Sequence, residues 1–536
     1  TLLYKAIRYC NIFLQNYEKV PWSDWEEASY HANEARALRA YFYWLLVRTY
    51  GGVPLIYDKV FTMDSPELRT LQRNSFAECV QYIKDEIDAV KDNLRLYSDI
   101  GERKSPDGKK NSFAEGIDSN WKHVRKWGLL GLEARMLLYA ASPLVNGTGN
   151  AAEPWLGYPE NDPNRWKEAA DICRTIINTN QFILEKDRTR LSRTTINGEV
   201  LWMKKGQDGN ALYADNWGYK NSPMSFKDMG TWAGNGRPCR GQTSPTQELV
   251  DAFPMKNGKS IDEAKESGEY NPQDPYKNRD PRLAQSICTP SYQPIVSNRK
   301  NIPDLNACLT GYQLIKYEDE AVGGKSDIDL FYFRLAEVYL NYAEALAEIN
   351  QLTQDDLDIS INKLRDRVGM PHLIMKTANA NPDPYLLANT TGYPNVSGAN
   401  QGVILEIRRE RTIELLSEHF RYDDILRWKA GQNMKQAILG MYFPSPGEYD
   451  LNGDGQNDIC LYTDTKPGNA QGITYLKIDS DIKLSDGNKG YLSPHKGLTL
   501  FWNEQRDYFY PIPSNERLIT NGALTQNPGW DDGLNF

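Results

Sequence analysis

Hydrophobic positions recur at spacings of three and four over the first third of the chain, which is the pattern of amphipathic helices. The longest run follows a predicted capping box at Ser23-Asp-Trp-Glu26 and continues to the helix-ending pair Gly51-Gly52. A second capping box, Ser75-Phe-Ala-Glu78, begins the next run. The predicted helices of this part are residues 3–17, 23–50, 75–94, 121–141 and 162–177. They predict a scaffold of packed helix pairs.

Small side chains in the third group indicate how closely these helices approach each other. Gly128, Gly131 and Ala134 alternate there with large leucines. Because small residues let a neighbouring backbone come close, this alternation predicts tightly packed helix pairs.

The periodicity fades between residues 179 and 329, where Gly, Pro, Asn and Asp accumulate around scattered Trp and Tyr residues. Helices are predicted again at 330–348, 353–368, 403–417 and 422–429. A second irregular region follows, with short strands expected at 473–478 and 506–510. We therefore expect a mainly α chain: a helical scaffold from 1–178 and 330–430, a loop-rich region at 179–329, and an irregular C-terminal region at 431–536.

Composition narrows the function classes. The chain has 62 Lys+Arg against 71 Asp+Glu, a net charge of −9, which excludes a basic nucleic-acid binder.

No apolar stretch is long enough to span a bilayer, so the chain is expected to be soluble or held at a membrane by an attached group. Thr1 lies within a predicted helix and is not a methionine, so we expect a further segment upstream.

Candidate catalytic groups are few. The five histidines, His31, His123, His372, His419 and His495, are far apart in the sequence, and none has metal-ligand spacing. Glu337 and Glu344 lie seven residues apart on one helix face and could act as an acid/base pair of a glycoside hydrolase. The favoured interpretation is that both carboxylates bind neighbouring helices. The Arg/Glu run at 406–411 with Glu414 is likewise interpreted as a network of ion pairs at three-residue spacing.

One motif predicts a metal site. Asp450, Asn452, Asp454 and Asp458 occupy positions 1, 3, 5 and 9 of a calcium-type loop. Gly455 stands at position 6, where such a loop turns sharply, and Gln456 would contribute a backbone carbonyl. Leu461 replaces the usual glutamate at position 12. We expect a structural calcium ion, the alternative being a solvated Asn/Gly turn.

Five stretches distributed over essentially the whole chain form a recognisable pattern. They are Ala37–Leu55, Asn278–Leu283, Arg334–Ala345, Ile404–Trp428, and Pro511–Pro513 with Gln526–Trp530. Taken in order, they resemble the SusD/RagB family, the surface lipoproteins of Bacteroidetes that capture nutrients for a TonB-dependent outer-membrane transporter. His419 departs from the resemblance, because similar sequences tend to carry glycine at this position.

The resemblance implies a single SusD-like domain over 1–536, with four tetratricopeptide-like helix pairs. It also places a ligand-binding face of long irregular loops in the region at about 179–329. It also implies a signal sequence and a lipid-bearing cysteine upstream, a surface location on the outer membrane, and a SusC-like TonB-dependent transporter as partner. The expected function is non-catalytic capture of oligo- or polysaccharide, with no catalytic cofactor. The alternative cargo is peptide, as in the RagB branch, and a glycoside hydrolase is the least favoured alternative.

The expected glycan-binding platform lies at about residues 212–240. Sugars present apolar C–H faces and polar rims, so their capture needs flat aromatic rings beside amide or guanidinium groups. The alternative is that one or two of these rings merely fix the loop to the scaffold. The proposed platform residues are Tyr213, Asn216, Trp217, Tyr219, Trp232, Asn235 and Arg237. If they do not bind glycan, the next candidates are the segment expected upstream of Thr1, or Tyr292 and Arg299.

Overall fold

A computed structural model describes residues 2–62, 64–94, 123–187, 191, 198–204, 243–293, 300–316 and 330–534. Within these residues the protein is mainly α-helical, with seven short strands in three sheets. The largest buried core takes side chains from Ile7 in the first helix to Phe509 near the C-terminus. N-terminal helices and later elements therefore share one core.

The sixteen α-helices of the described residues are numbered in chain order. The N-terminal set is α1 Leu2–Asn16, α2 Trp25–Tyr50, α3 Phe76–Val90, α4 Lys126–Ala141 and α5 Asn164–Asn178. The middle set is α6 Gln247–Ala252, α7 Ile261–Glu266 and α8 Pro281–Ser286. The later set is α9 Leu335–Glu348, α10 Gln354–Asp358, α11 Ile361–Val368, α12 Met375–Ala380, α13 Pro384–Leu387, α14 Gln401–Glu414, α15 Arg421–Arg427 and α16 Ser514–Ile519.

The predicted N-terminal helix pairs are confirmed. Helix α2 packs against α1 and α3, and α5 packs against α4 and α9. The capping box at Ser75 is present, with Ser75 and Glu78 bonding each other's backbone amides. The capping box predicted at Ser23 is wrong. Asp24 caps α2 instead, because its carboxylate accepts the amides of Glu26 and Glu27.

The small residues of α4 make room for strands as well as for a helix. A Cβ atom added at Gly128 would lie 2.6 Å from Cβ of Trp202, and one at Gly131 would lie 2.9 Å from Cβ of Phe333. Trp202 and Phe333 belong to β1 (Val200–Lys204) and β2 (Leu330–Arg334), which pair antiparallel. The prediction that these glycines serve helix pairs was therefore incomplete.

The helix predicted at 330–348 begins five residues late. Residues 330–334 form β2, and α9 starts at Leu335. Strand β1 explains the difference, since Lys204 pairs with Leu330, 126 residues later, and Val200 pairs with Arg334, 134 residues later. The helix predicted at 353–368 is also two helices, α10 and α11, separated at Ser360.

The C-terminal region carries the other two sheets. Strands β3 (Tyr442–Phe443) and β7 (Gly490–Tyr491) form one, and β4 (Gly447–Tyr449), β5 (Ile459–Tyr462) and β6 (Thr474–Lys477) form the other. The strand predicted at 473–478 is confirmed by β6. The strand predicted at 506–510 is wrong: residues 504–508 form a turn, in which Asp507 accepts the amide of Asn503 at 2.8 Å.

A buried ion-pair network joins the segments that carried the family resemblance. Arg282, at the start of α8, is fully buried and donates to Asp280 at 2.6 Å and to Glu410 of α14 at 2.7 Å. Glu410 also accepts from Arg365 of α11 at 2.7 Å. One carboxylate thus holds three elements that are far apart in sequence.

Arg334 is the second centre of the network. It lies between β2 and α9, is 1% exposed, and donates to Glu418 at 2.7 Å, Glu199 at 2.6 Å and Glu414 at 2.9 Å. Glu414 accepts in turn from Arg367 at 2.6 Å. Buried charges of this kind persist only when they are paired.

The run at 406–411 is structural, as interpreted from the sequence, but its pairing differs from the prediction. Within α14 the predicted three-residue spacing pairs Glu406 with Arg409 at 3.0 Å. Glu410 and Glu414 instead bind arginines of other elements, and Arg411 binds Asp424 of α15 at 2.7 Å. The run therefore connects elements more than it stabilises its own helix.

The departure at His419 has a backbone explanation. Its φ angle is +64°, in the left-handed region that glycine adopts without steric cost. Glycine at this position in similar sequences therefore suits the turn between α14 and α15, and His419 adopts the same turn here.

Among the described helices, none combines the length and the apolarity that a bilayer crossing requires.

Candidate functional site

All seven residues of the predicted glycan platform lie outside the described residues, within 205–242. The described flanks show where this stretch leaves and rejoins the scaffold. It follows Lys204 at the end of β1 and is followed by Thr246, the N-cap of α6. Of the next candidates, Tyr292 is half-buried in a turn and Arg299 is outside the described residues.

A cleft of about 390 Å³ lies on the described part of the chain, between α14 and α15 on one side and α6, α7 and α13 on the other. Tyr385, Tyr393 and Phe420 contribute aromatic rings to its lining. Arg421 and Glu248 also line it, and their side chains are 37% and 34% exposed. Rings beside partly exposed charges are the combination that binds small polar ligands.

Contacts inside the cleft hold its charged groups in place. Arg421 donates to the Tyr393 hydroxyl at 2.5 Å and to the Thr412 hydroxyl at 3.3 Å, and lies 3.8 Å from Glu248. Burial raises the pKa of Glu248, and Arg421 counteracts that shift only in part. The cleft thus offers a fixed guanidinium, a carboxyl group and aromatic faces. Sequence reasoning missed it because its walls come from five separate helices.

The two carboxylates of the glycoside hydrolase alternative are buried and paired. Glu337 is 2% exposed and accepts two bonds from Arg135, both at 2.6 Å. Glu344 is 1% exposed and accepts from Arg427 at 2.5 and 2.8 Å and from the Trp428 indole at 2.7 Å. This is the arrangement that the favoured helix-binding interpretation predicts.

Electrostatics agree with a structural role for Glu344. Burial alone would raise its pKa, but the Arg427 guanidinium outweighs burial and lowers the pKa to about 2. A general acid needs a pKa near the working pH, so this carboxyl group cannot serve as one at neutral pH.

The predicted calcium loop connects the antiparallel strands β4 and β5. Asp450 accepts the amides of Gly453 at 2.6 Å and Gly455 at 2.7 Å, and Asp458 accepts the amide of Leu451 at 2.8 Å. Asn452 accepts the amide of Asp454 at 2.9 Å, and Asp454 accepts that of Gln456 at 2.8 Å. The five predicted residues therefore do share one compact turn.

The donor set of this loop suits a hard cation, because carboxylate and amide oxygens keep lone pairs beyond those used by the backbone amides. Burial raises the pKa of Asp458, and repulsion from Asp450 and Asp454 adds to the shift, which a bound cation would relieve. The three aspartates do not, however, bring one oxygen each within 4.8 Å of all the others.

Two of the histidines that are far apart in the sequence lie close together in the structure. His31 of α2 and His123 lie with ring centroids 5.7 Å apart, and Glu34 contacts both. Among the described residues, these three form the group of histidine and carboxylate ligand atoms that lie within 4.8 Å of one another. Sequence spacing missed it because only His31 and Glu34 share a helix.

Residues 198–530 match the sequence profile described as the SusD family, and residues 1–104 match a profile described as starch-binding associating with outer membrane. A curated relative, SusD-like protein P38 of Formosa agariphila, is 23% identical over 459 residues, covering 82% of this chain and 73% of the relative.

Solved structures of low sequence identity share the fold. A SusD-like carbohydrate binding protein from Bacteroides fragilis matches with a TM-score of 0.66 at 22% identity, covering 97% of this chain and 84% of that one. A second SusD-like protein from the same species gives 0.64 at 21% identity, with coverages of 98% and 85%. A SusD superfamily protein from Parabacteroides distasonis gives 0.54 at 18%, with coverages of 98% and 84%.

Proposed function

Because the chain belongs to the SusD family, we propose that it captures oligo- or polysaccharide at the outer membrane and delivers it to a SusC-like TonB-dependent transporter. The observation that carries this proposal is the pair of profile matches, of which the N-terminal one describes starch-binding proteins that associate with the outer membrane. The carbohydrate binding named for the B. fragilis structure supports it. We further propose a surface-exposed position held by a lipid anchor.

The proposed activity is binding without cleavage. Glu337 and Glu344, the carboxylates that could have supported hydrolysis, are held by arginines inside the helix scaffold. Peptide cargo remains the alternative. The proposed platform favours glycan, because its residues combine flat rings with amides and a guanidinium, which match the faces and rims of sugar rings.

The proposed binding surface is the platform at 212–240, with the cleft around Arg421 as a second contact. Trp217→Ala or Trp232→Ala is expected to weaken binding of the cognate glycan by about 1–3 kcal/mol, the range of aromatic anchors at a binding surface. Isothermal titration calorimetry measures the affinity, and a glycan panel on native gels identifies the cognate ligand. The melting temperature should stay nearly unchanged.

Trp25→Ala is the matched control for these variants. Trp25 is 57% exposed at the start of α2, so its loss should change neither affinity nor folding. Unchanged affinity in Trp217→Ala, Trp232→Ala and the double variant would contradict the platform. Loss of binding in Arg421→Gln alone would then place the glycan in the cleft, whereas binding of peptide mixtures but of no glycan would support the alternative cargo.

The proposed transporter partner can be tested by mild detergent extraction from native outer membranes. A binding protein that delivers its ligand to a transporter should dock on the transporter barrel through a broad surface. Large interfaces usually survive purification. We expect a TonB-dependent barrel protein to co-purify. Recovery of this protein alone under several mild conditions would contradict the partnership.

We also propose a structural calcium ion in the loop between β4 and β5, held by Asp450, Asn452, Asp454 and Asp458 with the Gln456 carbonyl. A chelator is expected to lower the melting temperature, because a ligand that binds the folded state stabilises it. Asp450→Asn should abolish the chelator effect, while Asp486→Asn, in an exposed turn outside the loop, should preserve it. Metal analysis that finds no calcium, together with an unchanged melting temperature, would show that the loop is a solvated turn.

A further inference from the structure

His31, Glu34 and His123 form a cluster that neither the family nor the proposed glycan binding explains. His31 and Glu34 stand one turn apart on α2, and His123 lies shortly before α4. The Nδ1 atom of His123 is 2.9 Å from Oε2 of Glu34, and the Nδ1 atom of His31 is 3.6 Å from the same oxygen. One atom from each side chain lies within 4.8 Å of the other two.

The surroundings orient each of these groups. The Val124 amide donates to Oε1 of Glu34 at 2.6 Å, so the carboxylate is fixed with Oε2 between the two imidazoles. The Trp22 indole stacks on His31 with ring planes 26° apart, and Trp22 is itself fixed by a 2.6 Å bond from Nε1 to the Tyr17 carbonyl. Such outer contacts are typical of ligands that bind metal in a defined geometry.

The three side chains are also exposed enough for an ion to reach them from solvent. The side chains of His31, Glu34 and His123 are 35%, 15% and 28% exposed. The cluster is thus partly covered by protein yet in contact with solvent, so water can complete the coordination of an ion.

We propose that His31, Glu34 and His123 bind one divalent transition-metal ion, with zinc as the natural probe. Two imidazoles and one carboxylate are common zinc ligands, and water supplies the fourth position of a tetrahedral site. Separations of 2.9 and 3.6 Å between ligand atoms are close to those around an ion bound at about 2.0–2.1 Å.

The consequence of this site is structural. Its ligands join the first half of α2 to the residues immediately before α4, which are otherwise linked here by the bonds of Glu34 to His123 and Val124. A bound ion would replace the hydrogen bond between His123 and Glu34 with three coordinate bonds, while the Val124 amide would keep its bond to Oε1 of Glu34. It would therefore fix the start of α4 against α2, since binding to a folded site adds to folding stability.

The test is zinc titration of the tag-free full-length protein, stripped with chelator and dialysed at pH 7.5. Calorimetry is expected to show one zinc ion per chain, and cobalt substitution should give the visible absorption of a tetrahedral site. His31→Gln and His123→Gln should each weaken zinc binding at least about tenfold, because each removes one ligand. Circular dichroism checks that both variants fold.

His495→Gln and His372→Gln are the controls. His495 is exposed and remote in sequence, and His372 pairs with Asp366 at 2.7 Å on the surface, so neither change should alter the tight site. Absence of zinc binding to the unchanged protein would overturn the proposal and leave a hydrogen-bonded cluster. Zinc binding that survives both His31→Gln and His123→Gln would overturn it as well, because the ion would then be elsewhere. Neither outcome depends on whether glycan binds.

Discussion

Replacing Glu410 with alanine is expected to lower the free energy of unfolding by about 3–5 kcal/mol, the range for breaking a buried ion pair. Glu410 is completely buried and accepts from Arg282 and Arg365. Its loss removes a partner from two guanidinium groups that water cannot reach. Urea denaturation at pH 7, followed by circular dichroism, measures the change.

A surface pair provides the matched control for Glu410→Ala. Glu168 contacts Lys84 at 2.7 Å, but its side chain is 49% exposed, so Glu168→Ala should cost about 1 kcal/mol or less. Equal effects of the two alanine variants would contradict the stabilising role of the network. If the slope of the free energy of unfolding against urea concentration differs between the variants, the compactness of the denatured state has changed or unfolding is not two-state. Proteolysis rates would then replace the urea comparison.

The second large effect is a loss of folding stability at low pH, which we assign to Glu418. Burial would raise the pKa of Glu418, but Arg334 and Lys316 outweigh it and lower the pKa to about 2, from an ordinary value of 4.5. A lowered pKa contributes stability that is present above pH 4.5 and is lost as the pH falls to 2. The stability difference between the protein and Glu418→Gln should therefore be smallest near pH 2, grow up to pH 4.5, and then stay constant.

Glu133 should show the opposite dependence and serves as the contrast. Burial, with repulsion from Asp88, raises its pKa to about 7. A raised pKa in a carboxyl group destabilises the fold as the pH rises from 4.5 to 7, because the unfolded chain loses its proton first. Glu133→Gln should gain stability relative to the protein over that interval. Chemical denaturation at a series of pH values measures both profiles, and parallel curves for protein and variant would contradict either assignment.

Helix positions could be predicted where the signal is local. The run that became α2 and the box at Ser75 need only neighbouring residues to be recognised. Strand β2 could not be predicted in this way, because its apolar sequence Leu330-Phe-Tyr-Phe333 suits a helix as well as a strand. Its partner β1, 130 residues earlier, decides the outcome.

Ion pairs between residues that are far apart in the sequence could not be predicted either. The run at 406–411 indicates ion pairs by its composition, but nothing in it indicates that Glu410 binds Arg282, which is 128 residues away. Sites assembled from separate segments are equally hidden. The loop at 450–458 could be recognised because its ligands are consecutive, whereas His31 and His123 meet only after α2 and the start of α4 have packed together.

The pairing of Lys204 with Leu330 has an evolutionary consequence. The two ends of residues 205–329 are held side by side by this pairing, so a change in the number of residues between them does not change the distance between the ends. The entropy of closing a flexible loop grows only logarithmically, by about 0.6 kcal/mol for each doubling of length. Insertions and deletions within 205–329, outside α6–α8 and the ion pair of Arg282 with Glu410, are therefore expected to cost little stability.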